Sequence, residues 1–379
     1  MTGKQRMLNA YRGVASDRVP IAPEFWYYYP AKLLGVDMIA FEREVPFHTA
    51  LATTFARFAC EGWGITFAGV PNARVTGAST DTWVDADTLD VRWTTHTPHG
   101  DLTGAQRFTR NEPSWTLERP IKDPARDLPA WELTQFGGDP EAIDPAGAIR
   151  AWDEVGEQYL LELYLGVPFF DWYAGAREGG FLTALDEIMD PDLTPAFEGL
   201  RARYQEYQLR LVRALCAKTP FESFFIGCSY SCNSLLGPAL WRQWDKPVIA
   251  ALADELHRHG RLLHLHYHGR SRDTVADFPK IGVDCVCPFE RPPGGDITDL
   301  TEVRRLLDER VTMNGNVHTV ETLIRGTADD VRREVEEIFT QWGPDPRRLI
   351  LGTGDQVGRE TPEESLYALI EAGKRLGQM

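Results

Sequence analysis

Cysteine is scarce in this chain and never arranged as CxxC. There are six in 379 residues, too few for a disulfide scaffold. Their closest spacings, Cys228-x3-Cys232 and Cys285-x-Cys287, match no zinc ribbon. Reduced thiols in a cytoplasmic protein are the expectation. Basic charge is also short: 40 Lys and Arg stand against 56 Asp and Glu, a net charge of −16. Such a surface repels nucleic acid and anionic membranes, so neither is expected as a partner. No apolar run approaches the ~20 residues of a membrane helix. The opening MTGKQRMLNAYRGVASDRVPIAP has no apolar h-region, so no secretory signal is expected. No GxGxxG follows the first predicted strand, and the Gly352-Thr353-Gly354 turn has neither a lysine nor Walker spacing.

What is present is ordinary globular material, 43% hydrophobic and 25% charged. A chain of this mass buries roughly three-quarters of its extended surface and needs no staple. Short apolar runs near 20, 66, 162, 225, 264, 286, 314 and 351 read as strands, and most precede a helical pattern. They include VPIAPEF, YLLELYLG, RLLHLHYH and RLILGTG. Pro238 to His259 reads as one helix. Eight such βα units predict an α/β fold, a (β/α)8 TIM barrel spanning residues 1–379 as a single domain. Residues 73–119 differ, being rich in Thr and Asp and alternating in period 2. They predict an inserted β-hairpin lobe turning at Pro98-His99-Gly100.

Barrel enzymes carry their chemistry at the C-terminal ends of the strands. His266 and His268 end the fifth predicted strand, Glu290 follows the sixth, and Asp355 ends the eighth. In RLLHLHYH the period of 2 puts His264, His266 and His268 on one face, ~6.7 Å apart in succession. His264 lies a layer deeper, where a hydrogen-bonded core role is expected. His266, His268 and Asp355 could converge on one ion across the mouth. Two imidazoles and a carboxylate suit Zn²⁺, and Fe²⁺ or Mn²⁺ equally. The same HxH can instead be a satisfied core pair, and Asp355 a turn residue. Glu290 reads as an acid/base catalyst, a fourth ligand, or a loop carboxylate paired with Arg291 or Arg270. Cys285 and Cys287 read as packing residues. Trp26 to Tyr29 and Tyr230 place aromatic rings over the mouth, so Trp26, Tyr27 and Tyr230 are candidate substrate contacts. Arg270 is a candidate contact for a carboxylate.

The stretches ASDRVPIAP, HLHYHGR, GVDCVCPFERPPGGDITDL, TMNGNV and LILGTGDQVGRETPEES resemble, in that order, the uroporphyrinogen decarboxylase superfamily. Within it the chain is similar to the metal-dependent cobalamin or thiol methyltransferases. That resemblance implies a TIM barrel, a zinc site and transfer of a methyl group. The decarboxylases carry an arginine-bearing RQAGR-type segment after the first strand. Here that place reads PEFWYYYP, which puts porphyrinogen decarboxylation in doubt. His266 matches the methyltransferase histidine, His268 stands where the first cysteine ligand would be, and Asp355 where the second would be. Harder donors leave an ion more Lewis acidic. The resemblance therefore implies demethylation of a small methylated substrate, an aryl methyl ether among the candidates. The methyl would pass to a thiol or to a corrinoid supplied by a partner protein, since no DxHxxG corrinoid motif is present. The alternatives are a metal-independent decarboxylase or lyase acting on a small carboxylate, and a non-catalytic corrinoid- or porphyrin-binding barrel.

Overall fold

The apolar runs pair side by side in chain order. The computed structural model describes residues 1–379. Its strands are Trp63–Thr66 (β1), Thr76–Trp83 (β2), Thr88–Thr97 (β3), Gly100–Thr109 (β4), Trp115–Glu118 (β5), Leu160–Tyr164 (β6), Ser223–Cys228 (β7), Leu262–Tyr267 (β8), Cys285–Cys287 (β9), Thr312–Val317 (β10) and Leu349–Thr353 (β11). A seven-stranded sheet runs β1-β6-β7-β8-β9-β10-β11, every neighbouring pair parallel. Residues of β7, β10 and β11 are buried throughout, as a parallel sheet covered on both faces requires.

The sheet has seven strands where the sequence predicts eight. VPIAPEF is the difference. Ile21 makes one parallel bridge to Leu351. Ala22 N donates to Leu351 O and Leu351 N to Pro20 O, while Glu61 N, just before β1, donates to Ile21 O. The segment thus touches both edges of the sheet. Pro20 and Pro23 have no N–H, so the ladder cannot propagate in either direction.

The helix expected over Pro238 to His259 is two, Pro238–Trp244 and Lys246–Arg258. Pro247 cannot donate to the carbonyl of Gln243, and Arg201 takes that oxygen at 2.7 Å instead. The tyrosine run enters a helix, Tyr28–Leu34. At the opposite end of the sheet, the helix Gly3–Arg12 lies against the start of β10, with Thr312 Oγ1 donating to Ala10 O at 2.6 Å. Its Met7 and Tyr11 join Phe225, Cys285 and Ile350 in one buried apolar cluster. That end is sealed, which leaves the C-terminal end for chemistry.

Residues 76–118 form a separate four-stranded antiparallel sheet, β2-β3-β4-β5. Thr97 pairs with Gly100 across the predicted Pro98-His99 turn. β2 is exposed along its whole length, while Leu89, Leu102 and Ala105 are buried. No helix of the chain is long and apolar enough to cross a membrane.

Candidate functional site

β8 lies between β7 and β9, with His264 paired to Cys285 and His266 to Cys287 in register. Its inward face carries histidines at three depths. The deepest, His264, is fully buried. Its Nδ1 lies 2.9 Å from Glu162 Oε2 and 2.9 Å from Tyr11 OH. Ser223 Oγ donates to the other Glu162 oxygen at 2.6 Å. Trp63 and Phe225 meet the His264 ring edge-on at 4.7 and 5.1 Å. This is the hydrogen-bonded core role expected from its depth.

His266 stands one layer higher. Its Nδ1 is 3.4 Å from Cys287 Sγ and 3.9 Å from Glu24 Oε1. Glu24, His266 and Cys287 offer ligand atoms all within 4.8 Å of one another. The Glu24 backbone is held from both sides, its N donating to Thr353 Oγ1 at 3.0 Å and its O accepting from Val357 N at 2.8 Å. Trp26 Nε1 donates to its carboxylate. Burial, with Asp355 adding to it, pushes the Glu24 carboxyl up to about 8. Burial also pushes His266 down to about 3, helped by the charge of His268. The Cys287 thiol is pushed well above its ordinary value by burial, with Glu24 adding. All three are neutral groups short of a compensating cation, and a divalent ion would favour their ligating forms.

His268 forms the rim. Its Nδ1 is 2.9 Å from Glu290 Oε1, and that hydrogen bond raises it to about 9. Glu290 also accepts from Gly269 N. The RPPGGD loop folds tightly around Glu290, and a Cβ at Gly295 would sit 2.1 Å from Glu290 O. Asp355 completes a second set of ligand atoms within 4.8 Å, with His268 and Glu290. Burial raises the Asp355 carboxyl. Gln356 N donates to its Oδ1 at 2.7 Å, and Thr353 Oγ1 donates to its backbone O at 2.5 Å. Thr353 thereby ties Glu24 and Asp355 together. The His266 and His268 rings are 5.9 Å apart and nearly parallel.

The predicted residues are thus sorted into two adjoining groups. His268, Asp355 and Glu290 come together, while His266 joins Glu24 and Cys287. Cys287, read from sequence as packing, faces His266 because β9 registers against β8 there. Glu24 carried no sequence signal, since its proline-flanked segment has no period. Glu290 pairs with neither arginine. Arg291 is engaged by Glu334 at 3.0 Å and Glu337 at 3.3 Å, and the Arg270 side chain is exposed. Trp26 stacks on Phe47 at 5.4 Å and reaches the site through Glu24. Tyr27 lies farther out against Phe41 and Phe47. Tyr230 packs on Phe181, its backbone N donating to the buried Asp171 at 2.5 Å. A cavity of about 420 Å³ opens beside Glu290 and Asp355, lined also by Arg291, His318 and Arg325. His318, which sequence reasoning left aside, caps the short π-helical turn Thr319–Ile324, its Nδ1 accepting from Val320 N and Glu321 N.

Residues 222–376, from the start of β7 to the last helix, match the family described as uroporphyrinogen decarboxylase (URO-D). No curated protein matches the chain. Among solved structures, a methyltransferase from Methanosarcina mazei superposes over 99% of this chain and 99% of its own, with a TM-score of 0.65 and 17% identity. A ribulose-1,5-bisphosphate carboxylase/oxygenase from Pyrococcus horikoshii covers 60% of this chain and 44% of its own, at a TM-score of 0.30 and 12% identity. An intracellular xylanase from Thermoanaerobacterium saccharolyticum covers 59% and 78%, at 0.32 and 10%. The first match establishes the fold, and the other two carry no argument. Residues 222–376 thus carry the match to the uroporphyrinogen decarboxylase (URO-D) family, and the whole chain shares its fold with a methyltransferase.

Proposed function

We propose that this protein is a metal-dependent methyltransferase that demethylates a small methylated substrate. The methyl passes to a thiol, or to a corrinoid carried by a partner protein. The observation that carries this reading is the convergence of Glu24, His266 and Cys287 at the mouth of the sheet. Imidazole, thiol and carboxylate together suit Zn²⁺, with Fe²⁺ or Mn²⁺ as further candidates. A bound divalent ion supplies Lewis acidity toward a methylated heteroatom or an acceptor thiol.

The chain's own residues supply the rest. Trp26 and Thr353 orient Glu24, one through its carboxylate and one through its backbone. Glu290, the candidate acid/base group, fixes the His268 ring through Nδ1 at the edge of the cavity. Trp26, Phe47 and Tyr27 form an aromatic shelf on one side of the mouth, which suits an aryl methyl ether. Tyr230 and Arg270 are the outer substrate contacts in this reading. All six cysteines are free, which suits the reducing cytoplasm. The carboxylate-decarboxylase alternative is less favoured. A carboxylate would meet Glu24, Glu290 and Asp355, and Arg291 is already engaged by two glutamates.

The test joins metal analysis to assay. Purified protein is expected to carry stoichiometric metal, and His266→Ala to lose ion from the inner group. Methyl ethers, methylated thiols and methylated amines are then offered with a free thiol or reduced cobalamin as acceptor. Metal-free protein with no methyl transfer from any donor would sink the proposal.

A further inference from the structure

We propose that the mouth holds two metal ions in separate neighbouring seats. The inner seat is Glu24, His266 and Cys287, and the outer seat is His268, Glu290 and Asp355. This rests on the metal dependence proposed above and adds a second ion of different preference.

The two sets share no residue, and in each the ligand atoms already lie within 4.8 Å of one another. Metal bonds of ~2.0–2.3 Å close such a set with small side-chain movements. They do not let one ion take all six donors. Same-face residues of one strand are spaced ~6.7 Å, and the two histidine rings are 5.9 Å apart. Each set is thus built around its own histidine, and the two read as separate seats.

The sets also differ in donor chemistry and access. The inner one has a thiol, lies beside the Trp26 and Phe225 rings and is largely shut from solvent. A thiolate with imidazole and carboxylate favours Zn²⁺. The outer one has two carboxylates and one imidazole and opens on the cavity of about 420 Å³. That set favours a harder ion such as Mn²⁺.

The experiment strips the full-length protein with a chelator, refills it with Zn²⁺, with Mn²⁺ and with both, and counts metal per chain by mass spectrometry after dialysis. Co²⁺ substitution adds an optical readout, a thiolate-to-cobalt charge-transfer band that only the inner seat can give. The wild type is expected to take two ions per chain, one of each kind when both are offered. Cys287→Ser abolishes the band and leaves one ion. The near-isosteric Glu24→Gln also leaves one. Asp355→Asn leaves one ion and keeps the band. One ion per chain in the saturated wild type overturns the proposal, as does loss of both ions from any single substitution in protein whose circular dichroism is unchanged. Methyl transfer by a saturated wild type that takes only one ion would overturn this inference and leave the function standing. Two ions without transfer from any donor would do the reverse.

Discussion

His266 and His268 are two residues apart on one face of one strand, yet their surroundings push them in opposite directions. The inner ring is largely enclosed, beside a thiol and a carboxyl that are themselves short of countercharge, and desolvation lowers it to about 3. The outer ring hydrogen-bonds Glu290 at 2.9 Å and rises to about 9. Below both, His264 is sealed in a network with Glu162, Tyr11 and Ser223. One strand therefore presents a structural, a metal-seeking and a proton-holding imidazole. Residue type is constant along this series. Depth decides desolvation and partner, and those decide chemistry.

Four experiments could break that comparison. The largest effect is expected at the rim. Glu290→Gln removes the charge facing His268 and should lower methyl transfer by about 10²–10⁴-fold, read as kcat/KM, with His268 titrating nearer its ordinary value by NMR. An unchanged His268 titration would show that Glu290 is not its partner. At the bottom layer, His264→Leu leaves a buried Glu162 short of its partner and should cost about 3–5 kcal/mol in urea unfolding. A loss under about 1 kcal/mol would mean that Tyr11 and Ser223 satisfy Glu162 unaided.

In the middle layer, Trp26→Phe keeps the ring but removes the N–H that orients Glu24. Metal affinity should weaken about 10–100-fold, measured by competition with a chromophoric chelator. Equal affinity would place Trp26 in packing alone.

The smallest effect is a slope. In the metal-free protein the Glu24 carboxyl sits above its ordinary 4.5, at about 8. The folded state therefore binds more protons between those values, and stability falls as pH rises through that window. His268, raised from 6.5 to about 9, stabilises fully below 6.5, and this is lost as pH rises through 9. His266 is depressed from 6.5 to about 3, so its contribution is lost as pH falls below 6.5. Each slope is at most about 1.4 kcal/mol per pH unit for one proton. Glu24→Gln should flatten melting temperature between pH 4.5 and 8, while His268→Gln should flatten it between 6.5 and 9. If both variants keep the wild-type profile, the two groups do not titrate as their surroundings require.

The strand-end rule brings His266, His268, Asp355 and Glu290 to one mouth from sequence alone, because βα alternation specifies which end of each strand faces it. It did not separate His266 from the other three. That separation depends on β9 lying beside β8 with Cys287 opposite His266. Cysteine in a strand looks the same in sequence whether it packs or ligates. Glu24 was harder still, since it sits in a proline-broken segment held by single contacts to Leu351, Thr353 and Val357.

Local pattern alone determined seven of the eight expected parallel strands and the turn of the antiparallel lobe, because hydrophobic period and turn residues act over a few neighbours. All six thiols are free. Only the tertiary structure decided that one of those thiols faces a histidine and a glutamate. Metal-ligating distances are set by cross-strand register and by contacts between residues far apart in the chain, and no local pattern records them.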